Sequence, residues 1–295
     1  RRPEHTILPY GKSPEELIPG VPNFYATSMP TAHGFIPLIV ESHEGRPTKV
    51  EGNPSYIPFG GGTNIYAQAS VLDIYDPDRT KIPLYKEPEN NSSWKPSSSQ
   101  KVLNELSQWV KEGKIAILAD KSSSTARIQL KSQLKAKGVE WFEHESIDLT
   151  IPENNLGNAF GIKQGLRLTP NLRKASRVIS LDSDFLGNRE PNSLANTRAF
   201  MKGRKVLSAN DAKKMNRLYS VESDLTITGG VADHRLRLDS SQFVAFTNLL
   251  AAEVLTLLKK GDKDLIAKLN NRGSTQEQHR PWIVECAKDI CKKSK

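Results

Sequence analysis

The pattern of apolar and polar positions changes near residue 100. Before it, apolar residues come in short runs, Phe35 to Glu41 and Thr48 to Glu51, broken by turn formers such as Gly45-Arg46-Pro47 and Gly52-Asn53-Pro54. Runs of this length between glycine and proline clusters predict short strands. Residues 1–100 therefore read as an irregular, β-containing N-terminal lobe. It ends in a polar linker, Glu87 to Gln100, which carries Pro88, Pro96 and a serine run.

Beyond it the periods alternate. Val102 to Val110 has a helical period, and Lys114 to Ala119 is a short apolar run expected to form a buried strand. Ser124 to Lys137 predicts a helix with Ile128, Leu130 and Leu134 as its apolar positions, and Val139 to Phe142 a second strand. Arg177 to Leu181 is a third strand, Asn192 to Met201 a helix, Arg217 to Glu222 a fourth strand and Ser240 to Leu258 a long helix. Strands alternating with helices predict an α/β fold. Over 101–260 the expectation is a mostly parallel, Rossmann-like sheet flanked by helices, with all four strands in one sheet.

The remainder, 261–295, is expected to be a C-terminal helical tail leading to a further domain. A short helix is placed around Leu265 and a longer one over Gln276 to Cys291. In the latter, Trp282, Ile283, Cys286, Ala287 and Ile290 fall on one apolar face. That face either folds back on the 240–258 helix or meets another molecule. Lys295 is read as an artificial end, and Arg1-Arg2-Pro3-Glu4, without an initial Met, as a mature or trimmed start.

Composition narrows the classes. Mean hydropathy is −0.52, and no run approaches the ~20 apolar residues of a membrane-spanning helix. The net charge is +9, and residues 163–217 hold 13 Lys/Arg against 4 Asp/Glu. Such an excess attracts anionic lipid, nucleic acid or an acidic protein, but no nucleic-acid motif or aromatic interleaving accompanies it. A solvated or partner-docking basic face is the better reading. Only two cysteines occur, Cys286 and Cys291. Two thiolates alone do not hold an iron–sulfur cluster, and a spacing of five puts them on different helical faces, so two free thiols are expected.

Chemistry in a parallel α/β sheet belongs at the C-terminal ends of its strands. After the first strand, Asp120-Lys121-Ser122-Ser123-Ser124-Thr125 lacks both the glycine-rich dinucleotide turn and a P-loop; Ser123 or Ser124 is read as a helix N-cap. After the third, Asp182-Ser183-Asp184-Phe185-Leu186-Gly187 offers two carboxylates, suited to a metal or ribose hydroxyls, or to shaping the turn. After the fourth come Glu222-Ser223, Thr226-Ile227-Thr228-Gly229 and Ala232-Asp233-His234-Arg235, the most site-like cluster in the chain, without a recognisable nucleophile–base pair. Histidines at 5, 33, 43, 144, 234 and 279 show no metal-ligand spacing. Gly60-Gly61-Gly62-Thr63 follows no obvious strand and reads as a plain loop rather than a phosphate cradle. No catalytic or metal-ligating residue is assigned.

Two longer motifs carry a resemblance. Gly45-Arg46-Pro47-Thr48-Lys49-Val50-Glu51-Gly52-Asn53-Pro54 resembles the segment of molybdopterin oxidoreductases that follows their N-terminal cluster-binding cysteines. Gln68-Ala69-Ser70-Val71-Leu72-Asp73-Ile74-Tyr75-Asp76-Pro77-Asp78-Arg79 resembles the stretch that comes next. With Arg1 to Glu4, Leu8-Pro9-Tyr10, Pro14-Glu15-Glu16, Phe24 to Thr27, Ser180 to Gly187, Met215-Asn216-Arg217 and Glu222-Ser223 through Asp233, the chain over roughly 1–260 is similar to one branch. That branch is the iron–sulfur, molybdopterin-like B subunit of alternative complex III, also described as the TAT-variant-translocated molybdopterin oxidoreductases.

Departures from the family pattern shape what the resemblance implies. Phe24 to Gly34, where catalytic relatives carry cluster cysteines, contains none, and Gly60-Gly61-Gly62 stands near the later cluster cysteine. Glu222-Ser223-Asp224 replaces the Asp-Pro-Arg-like turn of pterin-binding relatives, and no counterpart of the molybdenum ligand is found. The resemblance thus implies a cofactor-free structural and docking portion of a quinol-oxidising respiratory complex, not catalytic by itself. Iron–sulfur clusters would lie in a later region outside this chain. Asp182, Asp184, Glu222, Thr226, Thr228 and Asp233 would be vestigial cofactor-binding positions. The partners would be a quinol-oxidising membrane subunit and a cytochrome c subunit, without nucleic acid, and the location periplasmic after export. The alternative is part of a genuine molybdopterin-dependent oxidoreductase, clasping its cofactor between this lobe and a missing one. A nucleotide-binding module of unrelated function is a weaker rival, since the glycine-rich turn is missing.

Overall fold

Turn chemistry sets the first sheet. β1 (Asn23–Pro30), β2 (Phe35–His43) and β3 (Arg46–Gly52) form an antiparallel meander in that order. Glu44 (φ 51°) and Gly45 (φ 78°) join β2 to β3, both in the left-handed region that a two-residue type I′ hairpin turn requires. Ile36, Leu38 and Val50 are buried. The computed structural model describes residues 11, 16–31, 34–86, 93–146, 150–162, 166–187 and 192–292. Arg1 to Tyr10, Pro14-Glu15, His33, the first part of the expected linker (87–92) and the last three residues lie outside these. The chain divides into two compact units, Arg1–Leu166 and Arg167–Lys295.

The first unit is more regular than its composition suggests. α1 (Ile65–Tyr75) was not expected from the turn-rich texture; Asn64 caps it, its Oδ1 accepting the Ala67 N–H at 2.9 Å. A two-residue ladder of β4 (Leu84–Tyr85) and β5 (Lys95–Pro96) follows. α2 (Ser99–Lys111) then leads to β6 (Ala116–Ala119), α3 (Thr125–Ala136), β7 (Glu140–Glu143) and α4 (Thr150–Ala159). β6 and β7 pair parallel across α3, as the alternation predicts. β6 is not the buried strand expected, however, since Leu118 is 74% exposed and Phe142 opposite it 53%. Ser124 occupies the N-cap position of α3 without a side-chain cap bond. Ser123 instead ties this turn to the first sheet: its N–H donates to Thr31 O at 3.0 Å and its hydroxyl to Gly34 O.

The second unit is built around one strand. β8 (Arg177–Leu181), α5 (Ser193–Lys202), α6 (Ala209–Ala212), β9 (Arg217–Glu222), α7 (Ile227–Gly230), β10 (His234–Arg237), α8 (Phe243–Leu257), α9 (Lys263–Gly273) and α10 (Arg280–Ile290) follow in sequence. The sheet is all parallel, in the order β10-β9-β8. Side chains alternate faces along a strand. Tyr219 and Val221 therefore point into a core with Phe246, Leu249 and Leu250 of α8 and Ile283, Cys286 and Ala287 of α10. Leu218 points the other way, against Leu172, Leu186 and Phe200.

The fold is thus α/β, but the four predicted strands do not share one sheet: β6–β7 and β8–β9 belong to two separate parallel ladders. A crossover helix makes two strands parallel; it does not fix which other pair they join. β10 was also unforeseen, because His234-Arg235-Leu236-Arg237 is mostly polar.

The C-terminal helix folds back as its apolar face requires. Ile283, Cys286 and Ala287 are buried against α8, with Trp282 and Ile290 partly so. Its last turn carries a charged clasp. Asp289 Oδ2 accepts from Arg177 Nε (2.6 Å), an Arg217 guanidinium nitrogen (2.8 Å) and the Tyr219 hydroxyl (2.8 Å), joining α10 to the first residues of β8 and β9. Burial works to raise the Asp289 pKa, but these donors and the two guanidinium charges outweigh it and hold the carboxyl below its ordinary value. Both cysteines are free. Burial, then the Asp289 charge, pushes the Cys286 thiol up to about 12.

Three outcomes follow from this packing. Asp289→Ala leaves two guanidinium groups and a tyrosine hydroxyl without their shared acceptor and should lower unfolding free energy by about 3 kcal/mol in urea titration. Gly273→Ala would place a methyl 2.4 Å from Leu249 Cγ and 2.8 Å from Ala245 O. Because a backbone carbonyl cannot give way, a loss of about 2 kcal/mol is expected in the same assay. Thiol titration of the folded protein at pH 8 should modify Cys291 first, with Cys286 reacting only on unfolding; equal rates would contradict the burial of Cys286.

Candidate functional site

The polar cluster expected at the strand ends forms at the C-terminal edge of the second unit's sheet. Glu222, the last residue of β9, is 3% exposed. A buried carboxylate needs donors, and this one has four. Arg235 Nε (2.5 Å) and Thr226 N–H (3.4 Å) reach Oε1, while Thr226 Oγ1 (2.7 Å) and Ser220 Oγ (3.4 Å) reach Oε2. Four donors match the roughly four lone-pair positions of a carboxylate. Gly229 lies directly against the same group; a Cβ there would fall on its oxygens. Burial works to raise the Glu222 pKa, yet the bonds from Arg235 and Thr226 prevail and hold it below the usual carboxylate value. Glu222 is therefore an ionised, enclosed acceptor at neutral pH, not a poised general acid.

Asp184 is similarly engaged. Its Oδ1 accepts the Thr228 hydroxyl at 2.7 Å and the Thr228 N–H at 2.9 Å. Thr228 is fully buried, and its hydroxyl oxygen also accepts the Leu186 N–H at 3.2 Å. Thr226 caps the one-turn helix α7 by accepting the Gly229 N–H at 3.1 Å. Asp182, with φ of 50°, turns the chain at the end of β8; its Oδ1 accepts the Ser223 hydroxyl at 3.3 Å and the Ser223 N–H at 3.5 Å. Beside Asp182 lies an open hollow of about 350 Å3 bordered by Leu181, Ser240, Phe243, Val244, Thr247 and Asn248.

Five of the six candidate residues thus converge: Asp182, Asp184, Glu222, Thr226 and Thr228. Asp233 does not join them. It precedes β10 at the opposite edge of the sheet, where it accepts two Arg204 guanidinium bonds, both at 2.8 Å, and the Leu218 N–H at 2.7 Å. The Arg204 bonds, more than burial opposes them, hold the Asp233 pKa low. Arg235, the partner that fixes Glu222, was within the cluster read from sequence but not singled out. Its signal was the two-residue periodicity of a strand ending beside a buried acid.

In the first unit, a hollow of about 450 Å3 is bordered by Ser122, Arg127, Lys135 and Trp141 and by the ion pair Lys131–Glu143 (2.6 Å); Arg127 pairs in turn with Asp120 (2.5 Å). None of the candidate residues lines it. The Gly60–Gly62 turn closes on itself, with the Gly60 N–H bonded to Tyr56 O at 2.8 Å and the Gly62 N–H to Phe59 O at 2.9 Å. Among the described residues, no three His, Cys, Asp or Glu side chains group as metal ligands, and no helix is long and apolar enough to cross a membrane.

The Glu222 cluster predicts a pH dependence. A carboxyl whose folded pKa is depressed contributes stability that is present above its unfolded pKa and is lost as pH falls through the folded one. Wild-type stability should therefore decline below about pH 4. Glu222→Gln, which keeps the shape but removes the charge facing Arg235, should cost about 2 kcal/mol at pH 7 and flatten that acid limb in denaturation measured from pH 7 to 3.

No protein-family model matches the chain, and no curated protein matches it. Among solved structures, the fold is similar to acetylene hydratase from Pelobacter acetylenicus, at 12% identity with a TM-score of 0.40 over 90% of this chain. The chain spans 33% of the length of that enzyme.

Proposed function

We propose that this chain is a cofactor-free structural and docking portion of an oxidoreductase subunit resembling the molybdopterin oxidoreductases, within an exported quinol-oxidising respiratory complex. The sequence resemblance suggests the complex, and the observation that carries the cofactor-free part of this reading is the saturation of Glu222. At the strand ends, where such a sheet would hold a ligand, the buried carboxylate is spent on Arg235, Thr226 and Ser220, and Asp184 on Thr228. These residues brace the loop ends of the sheet against each other. They are not preorganised for a substrate.

The alternative, a chain that clasps molybdopterin against a missing lobe, would use the hollow beside Asp182. A pterin dinucleotide brings a pyrophosphate, which calls for cations or a helix N-terminus with open N–H groups. The residues bordering that hollow include neither Lys nor Arg, so they fit the group poorly.

Purification of the native complex tests the proposal. The chain is expected to copurify with a quinol-oxidising membrane subunit and a cytochrome c subunit from the periplasmic face. The isolated 295-residue portion should carry no stoichiometric molybdenum or iron by elemental analysis. Molybdenum approaching one atom per chain, or the native protein in the cytoplasmic fraction, would overturn it.

A further inference from the structure

The loop between α5 and β9 is built as a braced projection. Its base is closed by the Asn216 N–H bonded to Gly203 O at 3.2 Å. Asn216, 2% exposed, donates from Nδ2 to Phe200 O at 3.0 Å. Arg204 is locked to Asp233 by two bonds of 2.8 Å. Beyond this base, side chains that would normally be hidden face solvent: Leu207 is 80% exposed, Val206 44% and Met215 37%. Between Lys202 and Arg217 the chain carries six cations and one carboxylate, Asp211. Asp211 is turned inward to its own helix cap, accepting the Ser208 hydroxyl and the Leu207 N–H. Lys202, Lys205 and Lys213 make no ion pair among the described residues.

We propose that this loop is a membrane-contact element, seating Val206 and Leu207 among the headgroups of an anionic phospholipid surface while Lys202, Lys205, Lys213 and Lys214 face the lipid phosphates. Aliphatic side chains at a projecting tip, ringed by lysines, match the layered chemistry of a bilayer interface, apolar beneath and anionic above. An acidic protein partner fits less well. Protein interfaces concentrate binding energy in aromatic and arginine anchors and are depleted in lysine. The tip has no aromatic residue, and Arg204 and Arg217 are spent on Asp233 and Asp289. The contact rests on this loop alone and stands or falls separately from the oxidoreductase reading.

Co-sedimentation of the full chain with lipid vesicles decides it. Binding is expected to vesicles containing about a third phosphatidylglycerol and not to pure phosphatidylcholine, and to weaken as salt rises. Each lysine should contribute roughly fivefold to partitioning, so Lys205→Glu/Lys213→Glu/Lys214→Glu should reduce it on the order of 100-fold. The equal charge change Lys111→Glu/Lys137→Glu/Lys268→Glu should have a much smaller effect. Leu207→Ser should leave the salt dependence intact while weakening binding several-fold. All these side chains are exposed, and circular dichroism of each variant confirms that folding is retained. Equal binding to neutral vesicles, equal losses in both triple variants, or retention only on a soluble polyanion such as heparin would each overturn the proposal.

Discussion

β9 must be buried on both faces, and this governs the second unit. Leu218 and Val221 are fully buried on opposite sides, and Tyr219 and Ser220 nearly so. A strand in that position has no solvent-facing side on which to place a charge, yet it ends in Glu222. The ionised carboxylate can stay there only if the protein replaces its water. Arg235 from the neighbouring strand and Thr226 from the next turn do so. Gly229 then has to pack against the carboxylate without a side chain. The short helix α7 and the start of β10 are positioned around this one carboxylate.

A second pair of carboxylates organises the opposite edge. Asp289 gathers Arg177, Arg217 and Tyr219, and Asp233 gathers Arg204 and the first buried N–H of β9. Arginine and lysine divide the work there. The planar guanidinium groups take the partly buried, shared-acceptor positions, and the lysines between 202 and 214 extend into solvent, as their stronger hydration favours. At this edge the basic residues are therefore of two kinds: Arg177, Arg204 and Arg217, which hold the sheet together, and Lys202, Lys205, Lys213 and Lys214, which are exposed.

Much of this was legible in the sequence where one local rule decides. The helical spacing of Trp282, Ile283, Cys286, Ala287 and Ile290 located the face of α10 that is buried, and the alternation of Arg217 to Glu222 located β9. Reading failed where the outcome depends on distant partners. α1 was hidden because its single capping residue, Asn64, sits in a glycine-rich stretch that mimics a loop. Leu118 and Phe142 look like core residues by composition but are exposed, since hydrophobicity alone does not supply the covering element. Asp233 seemed to belong with Glu222 because the two are near in sequence. A parallel crossover separates them by the full length of the sheet, one at each edge, and only the pairing of β10 with β9 reveals it.

That separation bears on how such a sheet is used. In parallel α/β folds the C-terminal edge holds ligands because loops there leave N–H groups and side chains unpaired. Here the side chains at that edge are consumed internally: the Glu222 and Asp184 carboxylates accept from their own neighbours, and the Thr226 and Thr228 hydroxyls donate to them. Exposed aliphatic side chains occur near both edges, Leu225, Ile227 and Val244 by the C-terminal one and Val206 and Leu207 on the 203–216 loop at the other, but on that loop they stand among exposed lysines. Side chains already paired within the fold gain little from a ligand, whereas solvated lysines beside an exposed leucine gain from any surface that supplies anions and removes apolar area from water. The 203–216 loop, where lysines and aliphatic side chains stand together, thus gains more from an anionic surface than the strand-end carboxylates, which are already paired within the fold.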